Sequence, residues 1–144
     1  MIRSNDCLTH YGIPTKDAPW MTLWDVPADL EVGVIPKRIY CNRDLVAPLQ
    51  SALINLVSRG YAERELLTWD GCFNIRKMRG NDAVWSLHSW GIAIDVNAFE
   101  NPFRGEPKMS DGMVSCFVDA GFDWGGVWKT PDGMHFQLHE LPKR

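Results

Sequence analysis

Long apolar runs are missing from this 144-residue chain. Nothing approaches the roughly 20 residues a membrane-crossing helix needs, so no membrane span is expected. The opening residues, Met1-Ile2-Arg3-Ser4-Asn5-Asp6-Cys7, hold no apolar signal-peptide core, and synthesis in a cytoplasm is the expectation. Dense runs of Lys or Arg are missing too, and the net charge is −3. That leaves no electrostatic footprint for nucleic acid. Cysteine is sparse: Cys7, Cys41, Cys72 and Cys116 stand far apart and form no Cys-x-x-Cys pair. The spacing argues against a zinc–thiolate site, and free buried thiols are expected rather than disulfides. No Gly-x-Ser-x-Gly elbow surrounds Ser86, which is therefore not read as a nucleophile. Internal repeats and domain boundaries are absent as well.

What is present is an ordinary globular composition, 45% apolar and 23% charged. Its length suits one domain (1–144) around one core. Seven tryptophans are many for this size. Most are expected in the core, with Trp90 and Trp124 as the better candidates for a binding groove.

Residues 1–37 carry Pro14, Pro19, Pro27 and Pro36. That density disfavours a long helix and predicts an irregular arm packed on the core, with a short strand near Val32–Ile35. Leu45, Val46, Leu49, Ala52, Leu53, Leu56 and Val57 recur at helical steps, which predicts a helix over 44–59. Asn42 or Asp44 would cap it and Gly60 would end it. A second helix is predicted over Ser110–Ala120, with Ser110 as cap. Short strands are predicted at Leu66–Trp69, Phe73–Lys77, Ile92–Asn97 and Met134–Leu138, with Asp70-Gly71 as a tight turn between the first two. The mixed order of elements predicts an α+β fold, a small antiparallel sheet flanked by helices.

The chemistry concentrates in Ser86-Leu87-His88-Ser89-Trp90-Gly91-Ile92-Ala93-Ile94-Asp95 and in Asp132-Gly133-Met134-His135. Together they offer two imidazoles and a carboxylate for a zinc ion, plus a spare carboxylate. Catalytic zinc has three such protein ligands and an open position, where water is acidified. On the predicted strand, Asp95 and Asn97 share a face, opposite Ile94 and Val96. His139 lies four residues beyond His135, about 13 Å away along a strand, too far to share one ion. It is read as a rim or surface residue.

The first segment fits the pattern Ser-x-His-x-x-Gly-x-Ala-x-Asp at every fixed position. It resembles the zinc D-Ala-D-Ala carboxypeptidase and dipeptidase family (VanY-like peptidases), in its phage L-alanyl-D-glutamate endolysin branch. That family shares its fold with the Hedgehog signalling domain. Gly71-Cys72-Phe73-Asn74-Ile75-Arg76 and Gly121-Phe122-Asp123-Trp124-Gly125-Gly126-Val127-Trp128 add to the likeness, which covers roughly residues 38–140. The ten-residue motif is specific, whereas Asp-x-x-His alone is weak.

The resemblance implies one zinc per chain on His88, Asp95 and His135. It implies Asp132 as general base, where many members carry Glu, and Arg76 beside the scissile carbonyl, with Arg79 in reserve. Ser86, Trp90, Asn97, Trp124 and Arg79 are implied around the ligands or the substrate. The implied activity is hydrolysis of peptidoglycan stem peptides, at the L-Ala-D-Glu bond, by a monomer acting on the cell wall. Two alternatives stay open: a D,D-carboxypeptidase or dipeptidase releasing D-Ala, and a non-catalytic zinc-bearing binding domain.

Overall fold

The computed structural model describes residues 1–143. In chain order its elements are α1 (Ser4–Tyr11), β1 (Met21–Asp25), β2 (Arg38–Asn42), α2 (Arg43–Ser58), α3 (Tyr61–Arg64), β3 (Trp69–Gly71), β4 (Lys77–Met78) and β5 (Asn81–Trp85). There follow a 3-10 turn (Leu87–Trp90), β6 (Ala93–Val96), α4 (Asp111–Val118), β7 (Phe122–Trp124), a 3-10 turn (Gly125–Val127) and β8 (His135–Leu138). The central sheet is antiparallel in the order β3-β6-β8-β7. β1 with β2 and β4 with β5 make two separate antiparallel pairs. The fold is the expected small α+β domain.

α2 forms because its apolar residues fall on one face. Leu45, Leu49, Ala52, Leu53 and Leu56 are all fully buried. Asn42 caps it, its side chain accepting from the Asp44 N–H at 2.9 Å. Ser110 caps α4 in the same way, through the Met113 N–H at 3.1 Å. α4 lays Phe117 onto the sheet, stacked 4.0 Å from Phe136 and edge-on to Phe122 at 5.7 Å. The Asn55 amide donates to Cys116 O at 2.9 Å and joins α2 to α4. All four cysteines are buried free thiols, as expected. Burial pushes Cys7 and Cys41 up to about 12.

The irregular arm needs correction. Residues 4–11 form α1, because they precede the first proline and bury Ser4 and Cys7. β1 pairs along its whole length with β2, and Val32–Ile35 is a turn rather than a strand. The expected packing on the core does occur: Ile2, Cys7, Val26, Leu30 and Ile35 are all buried. Asp70-Gly71 is also not a hairpin turn. Trp69–Gly71 is itself a strand on β6, and residues 73–76 run irregularly, their backbone groups taken by the His88 turn.

Candidate metal centre and active-site cleft

His88 stands in the 3-10 turn Leu87–Trp90. Ser86 opens that turn, its Oγ accepting from the His88 N–H at 3.3 Å. Gly91 closes it in the left-handed conformation, φ +69°. A Cβ on Gly91 would lie 2.8 Å from the backbone N of Asn42, so only glycine lets the chain pass here. Asn42 in turn binds Gly91 O through its N–H and Trp90 O through its side chain, both at 3.0 Å. The start of α2 therefore anchors the ligand turn.

Asp95 lies on β6 directly opposite His135 on β8. Directly opposed residues bring their Cβ atoms to about 4.5–5.5 Å, so the ladder itself brings these side chains together. Asp95 Oδ1 is 3.1 Å from His88 Nε2 and 3.3 Å from His135 Nδ1, and the two nitrogens are 3.3 Å apart. A regular tetrahedron with corners about 2.0–2.1 Å from its centre has edges of about 3.3–3.4 Å. The three atoms thus form one face of a zinc-sized tetrahedron.

The lone pairs of these atoms face one another. His88 Nδ1 lies 2.7 Å from Cys72 O, which can only accept, so Nδ1 carries the hydrogen and Nε2 the lone pair. His135 Nε2 lies 3.0 Å from Gln137 Oε1, which leaves its Nδ1 bare in the same way. Asp95 Oδ1 is buried, and neither short contact has hydrogen-bond geometry. Three electron-rich atoms so close repel one another unless a cation sits among them. The donor set, the spacing and the orphaned oxygen all fit zinc.

Burial alone would raise the Asp95 carboxyl, but the two imidazoles outweigh it and hold it well below the usual carboxylate range. Burial opposes charge on His135, yet Asp95, Asp132 and Gln137 together raise it. Desolvation also raises Asp132, and neighbouring Asp95 adds to that, while His135 and Arg79 oppose it.

Asp132 precedes β8. Its N–H donates to Gly125 O at 2.9 Å, and its carbonyl accepts from the His135 N–H at 3.1 Å. Its half-buried side chain lines a cleft of about 420 Å³ together with His135, Ser86, Trp128, Arg76 and Arg79. Asp132 Oδ1 is buried without a hydrogen-bond partner among the described residues.

Arg76 is half-buried, and its backbone is fixed: its N–H donates to Ser89 Oγ at 3.1 Å, and its carbonyl accepts from the Ser86 N–H at 2.9 Å. Arg79 sits at the exposed turn of the β4–β5 pair, near enough to Asp132 to be felt in its titration.

Three expectations need correction. Trp90 is fully buried, its Nε1 donating to Gly12 O at 2.8 Å, and is core rather than groove. Trp124 stands behind the Asp132 loop, bonded to Gly133 O at 2.8 Å, and does not line the cleft. Asn97 leaves the strand at φ +51° and turns its amide to Leu67, Thr68 and Glu65. Its side chain ties down the 65–68 loop. His139 is at the surface as expected, 2.8 Å from Asp123 Oδ1.

Four residues of the cleft escaped the sequence reading. Trp128 faces His135, with ring centres 5.4 Å apart. Arg104 and Lys129 line the mouth. Gln137 bonds His135. Only Gln137 had a legible signal, since it lies two residues from His135 on a strand and so shares its face.

Residues 79–138 match a family profile described as D-alanyl-D-alanine carboxypeptidase, less than half of the chain. The matched segment holds Ser86, His88, Asp95, Asp132 and His135, while Arg76 lies just outside it. It is thus similar to a family of peptidases. No curated protein and no solved structure matches the chain.

Proposed function

We propose that this chain is a zinc-dependent peptidase that hydrolyses peptidoglycan stem peptides, as an endolysin-type L-alanyl-D-glutamate endopeptidase acting on the cell wall. The observation that carries this reading is the zinc-sized triangle of His88, Asp95 and His135 beside the orphaned Asp132 carboxylate, at the wall of an open cleft. The match to a peptidase family over the same residues supports it.

His88 Nε2, Asp95 Oδ1 and His135 Nδ1 would hold the ion. When bound, zinc supplies Lewis acidity for the scissile carbonyl and acidifies water. Asp132 accepts the proton of the attacking water and hands it to the leaving amine, a role suited to a carboxylate with a raised pKa. Arg76 and Arg79 supply positive charge toward the carbonyl oxygen as it becomes anionic.

The cleft also favours an acidic peptide. Arg76, Arg79, Arg104 and Lys129 line it against the single carboxylate of Asp132, on a chain whose net charge is negative. A stem segment that carries free carboxylates, such as the D-glutamyl residue, fits that lining. The likeness to a D-alanyl-D-alanine carboxypeptidase family favours a second reading, a D,D-carboxypeptidase that releases terminal D-Ala.

One experiment separates the two. Purified peptidoglycan is digested with and without chelator, and the products are identified by mass. New D-glutamyl amino termini support the endopeptidase, free D-Ala supports the carboxypeptidase, and products that persist under chelation refute both.

A further inference from the structure

We propose that Gln137, held in place by the amino-terminal segment, is the positioning residue that sets the proton of His135 on Nε2 and leaves Nδ1 free for the metal. This inference rests on the metal-centre reading above.

The chain of bonds runs inward from the backbone. Ile2 O accepts a hydrogen bond from Gln137 Nε2 at 3.0 Å. A carbonyl oxygen cannot donate, so the contact fixes which end of the amide is NH₂. Oε1 must then point at His135, 3.0 Å from Nε2. An amide oxygen cannot donate either, so the hydrogen belongs to His135 Nε2. All three residues are buried, Gln137 to within 3%. Water does not substitute easily for a lost partner there.

The bond matters because the ring has a competing choice. Asp95 Oδ1 stands 3.3 Å from His135 Nδ1. A carboxylate that close draws the proton to Nδ1, and an Nδ1–H cannot ligate a metal. The Gln137 oxygen holds the proton on the far side of the ring by alignment, since its contact has hydrogen-bond geometry and the Asp95 contact does not. Outer partners of this kind orient metal-bound histidines and typically change metal affinity by about 10- to 100-fold.

The amino-terminal segment is tied to the site at both ends. Ile2 meets Gln137 on β8, and Gly12, just beyond α1, accepts from Trp90 Nε1 at 2.8 Å in the turn that carries His88. The residues flanking α1 therefore brace both histidine-bearing elements.

The test reads the imidazole directly. Metal-free protein labelled with ¹⁵N-histidine is examined by long-range ¹H–¹⁵N correlation at a pH where His135 is neutral. Zinc affinity is measured in parallel by chelator competition. In the unaltered chain His135 is the Nε2–H tautomer. Gln137→Leu is expected to move it toward Nδ1–H and weaken zinc by about 10- to 100-fold. Gln137→Glu, which keeps an acceptor, should retain the Nε2–H form.

A chain lacking residues 1 and 2 should show mixed tautomers and weaker zinc with its far-ultraviolet circular dichroism unchanged. If Gln137→Leu does not fold, this truncated chain decides the matter. Retention of the Nε2–H tautomer in both altered chains, or unchanged zinc affinity in both, overturns the proposal. Failure of the unaltered chain to bind zinc would refute the functional reading instead, with the tautomer result still standing.

Discussion

Asp95 and His135 face each other directly across β6 and β8, so two of the three candidate metal ligands are one rung of an antiparallel ladder. The third, His88, comes from a turn that β6 leaves only after the Gly91 bend. The sheet register therefore sets most of the ligand geometry, and a one-residue slip would turn Asp95 into the core.

Metal analysis should find one zinc per chain. His88→Ala and His135→Ala should each lose most of it, since two remaining donors make a poor tetrahedral site. Chelation should abolish hydrolysis, and added zinc should restore it. Full occupancy in His88→Ala would show that the ion is held elsewhere.

Asp132→Ala should keep its zinc but lose turnover by about 100- to 10,000-fold, the usual contribution of a general base. The base must be ionised to accept a proton, and desolvation raises its pKa. The acid limb of the kcat profile should therefore move with substitutions that change the charge around Asp132. A limb left unmoved by Arg79→Ala would mean that another group limits the reaction.

The same shift affects stability. Because the folded-state pKa of Asp132 is raised, the native metal-free chain binds more protons than the unfolded one between the two pKa values. Stability is then lost as pH rises through that window, and the cost is fully present above it. Asp132→Asn removes the buried charge while keeping the shape. It should raise the Tm of the metal-free protein at neutral pH, with the gain vanishing at acid pH. An equal gain at both pH values would point to packing instead of charge.

The candidate metal site was legible because its residue types and their offsets form a specific pattern. His88, Asp95 and His135 stand in a pattern that survives ignorance of the fold. The helices were legible from periodicity and caps, as at Asn42 and Ser110. What stayed hidden depends on contacts distant in sequence. Trp90 looked like a groove residue because nothing local reveals that Gly12, 78 residues earlier, takes its N–H. Asn97 continued the strand pattern, yet its left-handed backbone and the 65–68 loop took its side chain away. α1 was obscured by the prolines that follow it, although none falls within it.

Gly91→Ala should destabilise the protein by at least about 1–2 kcal/mol, the cost of a left-handed conformation in a residue with a Cβ. Contact with the backbone N of Asn42 adds to that cost, because neither atom is a flexible side-chain end. The denaturation midpoint measures it. Zinc affinity should fall in parallel, since the bend carries His88. An unchanged midpoint would mean that the turn relaxes without strain.

The two cleft arginines differ in how firmly they are held, and that difference predicts their roles. Arg76 is fixed through its backbone by Ser86 and Ser89, on the segment beside the His88 turn. Arg79 stands on an exposed turn but is close enough to Asp132 to lower its pKa. A charge that stabilises an oxyanion must be held in place before the reaction, because reorganisation would cancel the benefit. Arg76→Ala should therefore lower kcat by about 100- to 1,000-fold, roughly 3–4 kcal/mol, with zinc retained and KM little changed. Arg76→Lys should recover only part, since an ammonium lacks the planar fork. Arg79→Ala should mainly raise KM for acidic peptides and move the acid limb of the pH profile upward, because Asp132 loses a neighbouring cation. Steady-state kinetics across pH decide between these assignments. A large kcat loss in Arg79→Ala with an unaffected Arg76→Ala would exchange the two roles, and proximity to Asp132 would then outweigh rigidity.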